Sequence, residues 1–583
     1  MAFSKRLIAA MSLASFAATW VTSASAQVQT PSREQVNPPA PQSEVPKSEA
    51  RVDENEAFQP GPCPLADSDI KVAINRVSFT APGGGALAPE LAQLLADIGT
   101  SSESKPIRVV CDIRDQANAR LRIARYVASV QIPAQRIDDG VLRLEVVAGH
   151  IVEVRVRGEA GPFENLIRKR IELIKQLNPL NANEAERLLL LANDIPGLNI
   201  KLGLSPSGSG SQPGDLVGEM TVSYRRFSMI GNIQNYNSKF LGRETIYLRG
   251  EYYNLFGQGD RTYLAGSTTL DFNKQRIVQL GQSFTLSSRG DRLSLIATMA
   301  DSRPALDTID LRTVSLIGNI EYSRPLVRSV DTKIDAALGF EYAQQRTRVY
   351  STSSSVPLNR DRIATVYARL EAAKRKLRSD GSEAWDFGGS LEFRKGLNIL
   401  GATKPGQIID GYAPTRFQGS STATLVRGQI NGMIGLGPIF ELATTMRGQW
   451  ANRELLNYDQ FAIGNLTIGR GYDPGANTGD RAIGGAHELR ANVQVGSNTR
   501  GQIYGFYDWV KLWNLDPSST ERNRTLASVG GGVRVSLLGS MRLDLTYAHP
   551  LDPPLLTGVN IKPPPDRFMF SLTAQLIPFG ARR

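Results

Sequence analysis

The sequence predicts two small α+β modules followed by an all-β transmembrane barrel of about 16 antiparallel strands, and three observations lead there. The 583-residue chain opens on MAFSKRLIAAMSLASFAATWVTSASAQ, with basic Lys5 and Arg6, an apolar run from Leu7 to about Val21, and the small-residue pattern Ala24-Ser25-Ala26. This is the layout of a secretory signal peptide, residues 1–26, cleaved after Ala26; a membrane anchor needs about 18–20 apolar residues and no cleavage pattern. No later stretch offers such an apolar run, so a mature chain resident in a membrane must cross it as a closed barrel. Finally, beyond about Arg225 the chain reads as strands of roughly ten residues, each with one apolar and one polar face.

Residues 27–64, QVQTPSREQVNPPAPQSEVPKSEARVDENEAFQPGPCP, are rich in Pro, Gln, Ser and Glu. They predict an extended linker or arm, too often broken by proline for a long plug helix. The first module, 65–148, begins with a strand, IKVAINRVSF (70–79), and a short amphipathic helix, LAPELAQLLADIG (87–99). A second helical stretch around Asp115 to Tyr126 and two strands, YVASVQIPAQ and the alternating DGVLRLEVVAG, complete it. The second module, 149–224, repeats the order. HIVEVRVRG (150–158) alternates valines with charges, PFENLIRKRIELI and NANEAERLLLLANDIPG are helices, and LNIKLGLSP and GDLVGEMTVSY are strands. Asn181 followed by Glu184 is a capping-box spacing. The two cysteines, Cys63 and Cys111, are an even count in an exported chain and favour a single disulfide, two separate buried thiols being the alternative.

In the third region, 225–583, ETIYLRGEYY sets Ile246, Leu248, Gly250 and Tyr252 against Thr245, Tyr247, Arg249 and Glu251. SMRLDLTYAHPL sets Met541, Leu543, Leu545 and Tyr547 against Arg542, Asp544 and Thr546, and RFMFSLTAQLIPF closes the chain with Phe568, Phe570, Leu572 and Leu576 on one face. A soluble sandwich also alternates. A dry core cannot accept a charge on strand after strand, whereas a wet barrel lumen can. About 360 residues at about 22 per strand and connection give roughly 16 strands.

The net charge of +11 is spread along the chain rather than gathered in one arm, which argues against nucleic acid as a partner. Three histidines, His150, His487 and His549, lack metal-ligand spacing, and no phosphate-binding Gly-x-x-x-x-Gly-Lys-Ser/Thr loop occurs. No enzyme, cofactor or metal is expected.

Several motifs in order resemble one family. Cys63-Pro64-Leu65, Cys111 and IPAQRIDDGVLRLEVVAGHIVEVRVRG resemble a first periplasmic POTRA domain, and PLNANEAERLLLLANDIPG (179–197) resembles a second. NYNSKFLGRETIYLRGEYYNLFGQGD (235–260), YSRPL (322–326), QFAIGNLTIGRGYDPGANTGD (460–480) and GQIYGFYDWVKLW (501–513) resemble barrel elements of the two-partner secretion transporters of the haemolysin and filamentous haemagglutinin type. The resemblance implies a bacterial outer-membrane channel with its POTRA domains in the periplasm, acting as a single chain. It further implies export of a secreted partner exoprotein caught by those domains, outer-membrane lipid around the barrel, and insertion by the barrel-assembly machinery. A barrel-assembly insertase and a passive porin are the alternatives.

The resemblance also singles out a site. In that family the sixth loop, here about 460–485, folds into the lumen, and an arginine at its tip pairs with an aspartate of the barrel wall. The matching positions are Arg470, Gly471 and Tyr472 on the loop and Phe506 and Asp508 on the strand. Gly469 stands where the family has an aliphatic residue, and Val510 where it has a glycine. From the residues alone, Arg470 also reads as a solvated arginine in a glycine-rich turn.

Overall fold

The computed structural model describes residues 30–38, 41, 52–53, 62–65, 68–137, 139–207, 212–306, 309–378, 383–496, 499–556 and 561–577. The signal peptide and most of the arm lie outside these residues.

In the first module, strands Arg76–Thr80, Val141–Ala148 and Ala128–Gln131 form one sheet, covered by helices Pro89–Leu95 and Val109–Ile123. Leu91, Leu95, Val110, Leu121, Leu142 and Leu144 meet between sheet and helices and are almost wholly buried. The strand expected over 70–79 breaks at Asn75. Its first half, Lys71–Ile74, pairs instead with a strand over Ser101–Pro106. That partner, SSESKP, has no apolar face to announce it.

Cys63 and Cys111 are joined as a disulfide, Cα atoms 5.8 Å apart, closing a loop across 48 positions of sequence. The bond ties the end of the arm to helix Val109–Ile123. A loop of that length is worth about 4 kcal/mol in the chain-entropy account. Cys111→Ser is therefore expected to leave the barrel folded while the first module becomes the earliest site of cleavage in limited proteolysis of the whole protein.

The second module is a sheet of His150–Arg157, Asp215–Tyr224 and Leu198–Pro206 under helices Glu164–Lys175 and Ala182–Asn193. Asn181 caps the latter helix by accepting from Asn183 N (3.0 Å). Phe163, Ile174, Leu189, Ile200 and Met220 form its core, into which Tyr253 of the barrel also packs. The arm's Val52–Asp53 adds a short parallel pairing at the Leu202 edge.

Sixteen antiparallel strands close into a barrel. In order they are Phe227–Gln234, Thr245–Tyr253, Arg261–Thr269, Gln275–Thr285, Arg292–Ser302, Asp310–Arg328, Thr332–Tyr350, Ser355–Leu377, Glu383–Leu397, Thr424–Gly435, Phe440–Ala451, Arg481–Gly496, Thr499–Trp513, Asn523–Leu537, Met541–Pro550 and Arg567–Gln575. Strand 1 pairs with strand 16 through Asn232↔Thr573 to seal it. Leu264, Leu280, Met299, Ile320, Leu338 and Ile430 point outward and stay exposed, forming the apolar belt a bilayer requires. The opposite files carry Arg249, Glu251, Glu341, Arg394, Glu488 and Asp508, all buried in the lumen.

The rim facing the second module is the periplasmic one. In the turn Asn254-Leu-Phe-Gly-Gln-Gly-Asp260, Asp260 accepts from Leu255 N (3.0 Å) and Phe256 N (2.9 Å), and Gly257 and Gly259 take positive φ. Asn254 Nδ2 then donates to Pro162 O (2.6 Å). At the end of strand 6, Arg328 grips Asp194 with both fork nitrogens (2.7 and 2.9 Å). The glycine-rich turn is thus a docking surface for the second module.

The arm departs from the expectation of a periplasmic linker. Residues 30–38 run inside the barrel, with a four-residue helix, Arg33–Val36, capped by Ser32 and Gln35 reciprocally. Val36 is fully buried among Ile277, Ala300, Ile317, Ala343, Ile363 and Tyr458. Polar side chains of the segment find partners on the inner wall, which is why a proline-rich stretch with no apolar stripe stays there.

Candidate functional site

The segment between strands 11 and 12, residues 452–480, turns inward instead of standing above the rim, so the loop is placed slightly earlier than 460–485. Gly464 N donates to Ile468 O and Tyr472 N to Gly469 O, both 2.9 Å, folding the tip on itself. Gly469 has φ +105°, and a Cβ there would sit 3.2 Å from the Tyr472 ring. An aliphatic residue would be strained in this backbone, so the departure at Gly469 belongs to the tip's own conformation.

Strand 13 presents Phe506, Asp508 and Val510 inward by simple alternation, while Tyr507 faces out. Arg470 approaches from above. Its Nε and its backbone N each donate to Asp508 Oδ2 (2.9 Å), and Nη2 donates to Oδ1 (2.6 Å). The guanidinium lies over the Phe506 ring, 3.6 Å from its centroid. Gly471 N donates to Ser528 Oγ (3.2 Å), at a place where a Cβ would come within 2.7 Å of the Ser528 Cβ. Only a glycine lets the loop backbone sit this close to strand 14. Tyr472 is fully buried; its hydroxyl donates to Ala527 O (2.8 Å) and accepts from Asp552 N (3.2 Å). Its carbonyl accepts from Arg567. The five residues singled out on loop and wall are therefore brought together.

Sequence reading missed a second carboxylate. Glu488 on strand 12 accepts from Arg470 Nη1. It also receives Arg490 Nε (2.7 Å) and Arg534 Nη1 and Nη2 (2.9 and 3.0 Å). The register Glu488↔Phe506 places it one step from Asp508 on the same inner face. The ladder of strands 12 and 13 shifts register between Gln494 and Gly496, so counting back along the two strands from their ends does not give that pairing. Val510, in place of a glycine, packs under the loop with Ile463, Ile468, Tyr472 and Leu512.

Asp480 anchors the loop base. It has no exposure, accepts from Leu455 N (2.9 Å) and Leu515 N (2.7 Å), and pairs with Arg416. Below it lies the arm segment. Arg33 pairs with Glu341 of strand 7 and with Asp459 of the loop (3.4 Å), its guanidinium 5.0 Å from the Tyr458 ring centroid. The inner wall meets the same acids: Arg394 pairs with Glu341 (2.7 Å) and Glu392 (3.0 Å), and Arg427 with Asp459 (3.3 Å). Gln275 Nε2 donates to Gln35 O (3.1 Å), and Gln345 Nε2 to Pro31 O (3.1 Å). A cavity of about 300 Å³ remains beside the segment, lined by Glu34, Gln35, Tyr236, Arg542 and Asp544.

Residues 220–535, more than half of the chain, match the haemolysin secretion/activation protein family ShlB/FhaC/HecB. The chain belongs to that family. The heme/hemopexin transporter protein HuxB of Haemophilus influenzae is 23% identical over 465 residues, covering 76% of this chain and 78% of HuxB. The outer membrane transporter CdiB-2 of Burkholderia pseudomallei is 22% identical over 463 residues, 76% and 74% of the two chains. In fold, the chain is similar to CdiB from Escherichia coli (TM-score 0.70, 14% identity, 89% of this chain and 94% of that one) and to CdiB from Acinetobacter baumannii (TM-score 0.63, 15% identity, 91% and 94%). The two α+β modules are POTRA domains, and this member of the family is an outer-membrane two-partner secretion transporter.

Proposed function

We propose that the chain exports one large secreted exoprotein, captured in the periplasm by the POTRA domains and passed outward through the lumen once residues 30–38 have left it. The observation that carries this reading is the filling of the lumen. Apart from the apolar seat of Val36, the segment is held there by hydrogen bonds and ion pairs to a polar wall, so withdrawing it leaves a largely wet passage. In the first POTRA domain, Lys71–Ile74 and Ser101–Pro106 form a sheet of only two strands. Its open edge can add an extended strand of an unfolded client, a mode that reads backbone more than side chain. Arg470, Asp508 and Glu488 hold the loop that borders this passage. The barrel closes from one chain, so a single copy forms the channel, and no catalytic step belongs to this reading.

The test is secretion of a large exoprotein encoded beside this gene. Cells lacking the chain are expected to retain that protein in the periplasm. The full chain should restore export, and a variant without residues 68–207 should assemble a heat-modifiable barrel yet fail to do so. Unchanged export in the deletion strain sinks the proposal.

A further inference from the structure

In the lumen, Arg249, Arg394, Arg427, Arg470, Arg490 and Arg534 each pair with an acid. A second group faces the other way. On strand 6 the outward file runs Ile320, Gly318, Leu316, Val314 and then Arg312; on strand 7 it runs Leu338, Phe340, Tyr342, Gln344, Arg346 and Arg348. On strand 8 it runs Leu370, Ala368, Val366, Ala364, Arg362 and Arg360, and on strand 9 Leu391 and Phe393 give way to Lys395. Each file passes from the apolar belt to a basic residue at the end away from the second POTRA domain. That end is the extracellular one, because Arg328 at the other end of strand 6 grips Asp194. The basic residues thus form a belt at the level of the outer-leaflet headgroups.

The register makes the belt costly on its own. Arg312 stands directly opposite Arg348, and Arg346 directly opposite Arg360. Like charges facing each other across strands are destabilising. Among the described residues, Asp310 holds Arg312 (2.8 Å), on which Asp301 also acts while itself paired with Arg303 (3.2 Å), and Asp410 holds Arg360 (3.1 Å). Arg348 uses its donors on Ser355 and Tyr412, and Arg362 donates to Gln344 (2.9 Å). Arg346 is exposed and has no acceptor among the described residues.

We propose that this outer face of strands 6 to 8 binds a phosphorylated glycolipid of the outer leaflet, the bisphosphorylated lipid A part of lipopolysaccharide. Arg312, Arg346 and Arg362 would supply the phosphate contacts, Arg348 and Arg360 lying against Tyr412 with Arg360 largely buried. Three strands at about 4.8 Å spacing make a patch roughly 10 Å wide, and acyl chains would lie along the exposed Leu316, Ile320 and Leu338 directly beneath it. The choice of arginine fits, because its planar fork engages two phosphate oxygens at once where lysine offers a point charge. Each facing arginine pair holds one carboxylate, and the bound phosphates would supply the second counter-charge.

The experiment uses the purified full chain in detergent, titrated with bisphosphoryl lipid A, with the same lipid after removal of its phosphates, and with phosphatidylglycerol, binding being read by native mass spectrometry. The bisphosphoryl form is expected to bind best. R346Q/R362Q should weaken it about 30-fold, equivalent to about 2 kcal/mol at 1.4 kcal/mol per tenfold, with heat-modifiable mobility unchanged. R346K/R362K should lose less than the glutamine variant. Equal binding of the dephosphorylated lipid or of phosphatidylglycerol to the unmodified protein overturns the proposal without any variant. So does unweakened binding by R346Q/R362Q.

Discussion

Arg470→Ala is expected to lower the temperature at which the folded barrel loses its fast electrophoretic mobility and to cut secretion of the partner at least tenfold. The expectation follows from what each neighbour keeps. Asp508 has 1% exposure, and three of its hydrogen bonds come from Arg470, two of them from the side chain. Glu488 still holds Arg490 and Arg534 when Arg470 is gone. Truncation therefore strands one carboxylate and spares the other. Removing one partner of a buried pair costs about 3–5 kcal/mol, much of it the burden of the charge left behind. If that charge is the cause, neutralising it relieves the damage. Arg470→Ala combined with Asp508→Asn should then be more heat-stable than Arg470→Ala alone, and a double variant no better than the single one would show that the seat is held by other contacts. A charge exchange, Arg470→Asp with Asp508→Arg, is a weaker probe, because a carboxylate at position 470 would face Glu488.

How much of this was legible beforehand depended on whether a feature is local. The barrel was, since inward Thr245, Arg249 and Glu251 alternate with outward Ile246 and Leu248 within one run, and no dry core takes such a strand. The pairing of Arg470 with Asp508, 38 positions apart, became visible only through the motifs around both. Glu488 needed the hairpin register of strands 12 and 13, which motif reading does not supply. The lumenal position of residues 30–38 was the least legible, because their partners Glu341, Gln345 and Asp459 lie more than 300 positions away. Even so, Ser32-Arg-Glu-Gln35 carries a capping-box spacing, a local sign that a helical turn starts inside the proline-rich arm. The strand Ser101–Pro106 gave no sign, being polar on both faces.

Arg33→Glu is expected to open the channel, seen as larger and more frequent conductance steps in planar bilayers. The substitution places a carboxylate against Glu341 and Asp459, both nearly buried, where Arg33 had paired with each. The loss of about 3 kcal/mol or more from breaking such a pair shifts the resident population of the segment by over 100-fold, at 1.4 kcal/mol per tenfold. The charges of the lumen do not resist the departure. Arg394 keeps Glu341 and Glu392, and Arg427 keeps Asp459, so those lumen charges remain matched with the segment absent. Such a wall makes the segment a removable occupant, whereas Arg470 anchors a loop whose loss strands Asp508. A second readout separates expulsion from a mere change in ion selectivity. Val36 has no exposure, and the described residues hold no free cysteine, so Val36→Cys reports by its reaction with a membrane-impermeant thiol reagent. In the Arg33→Glu background that cysteine should label at least tenfold faster than in the Arg33 background, and Arg33→Lys, which keeps the charge but not the fork, should fall between them. Faster conductance with no change in labelling would mean that current passes beside a segment still in place, and the segment would then not be the gate.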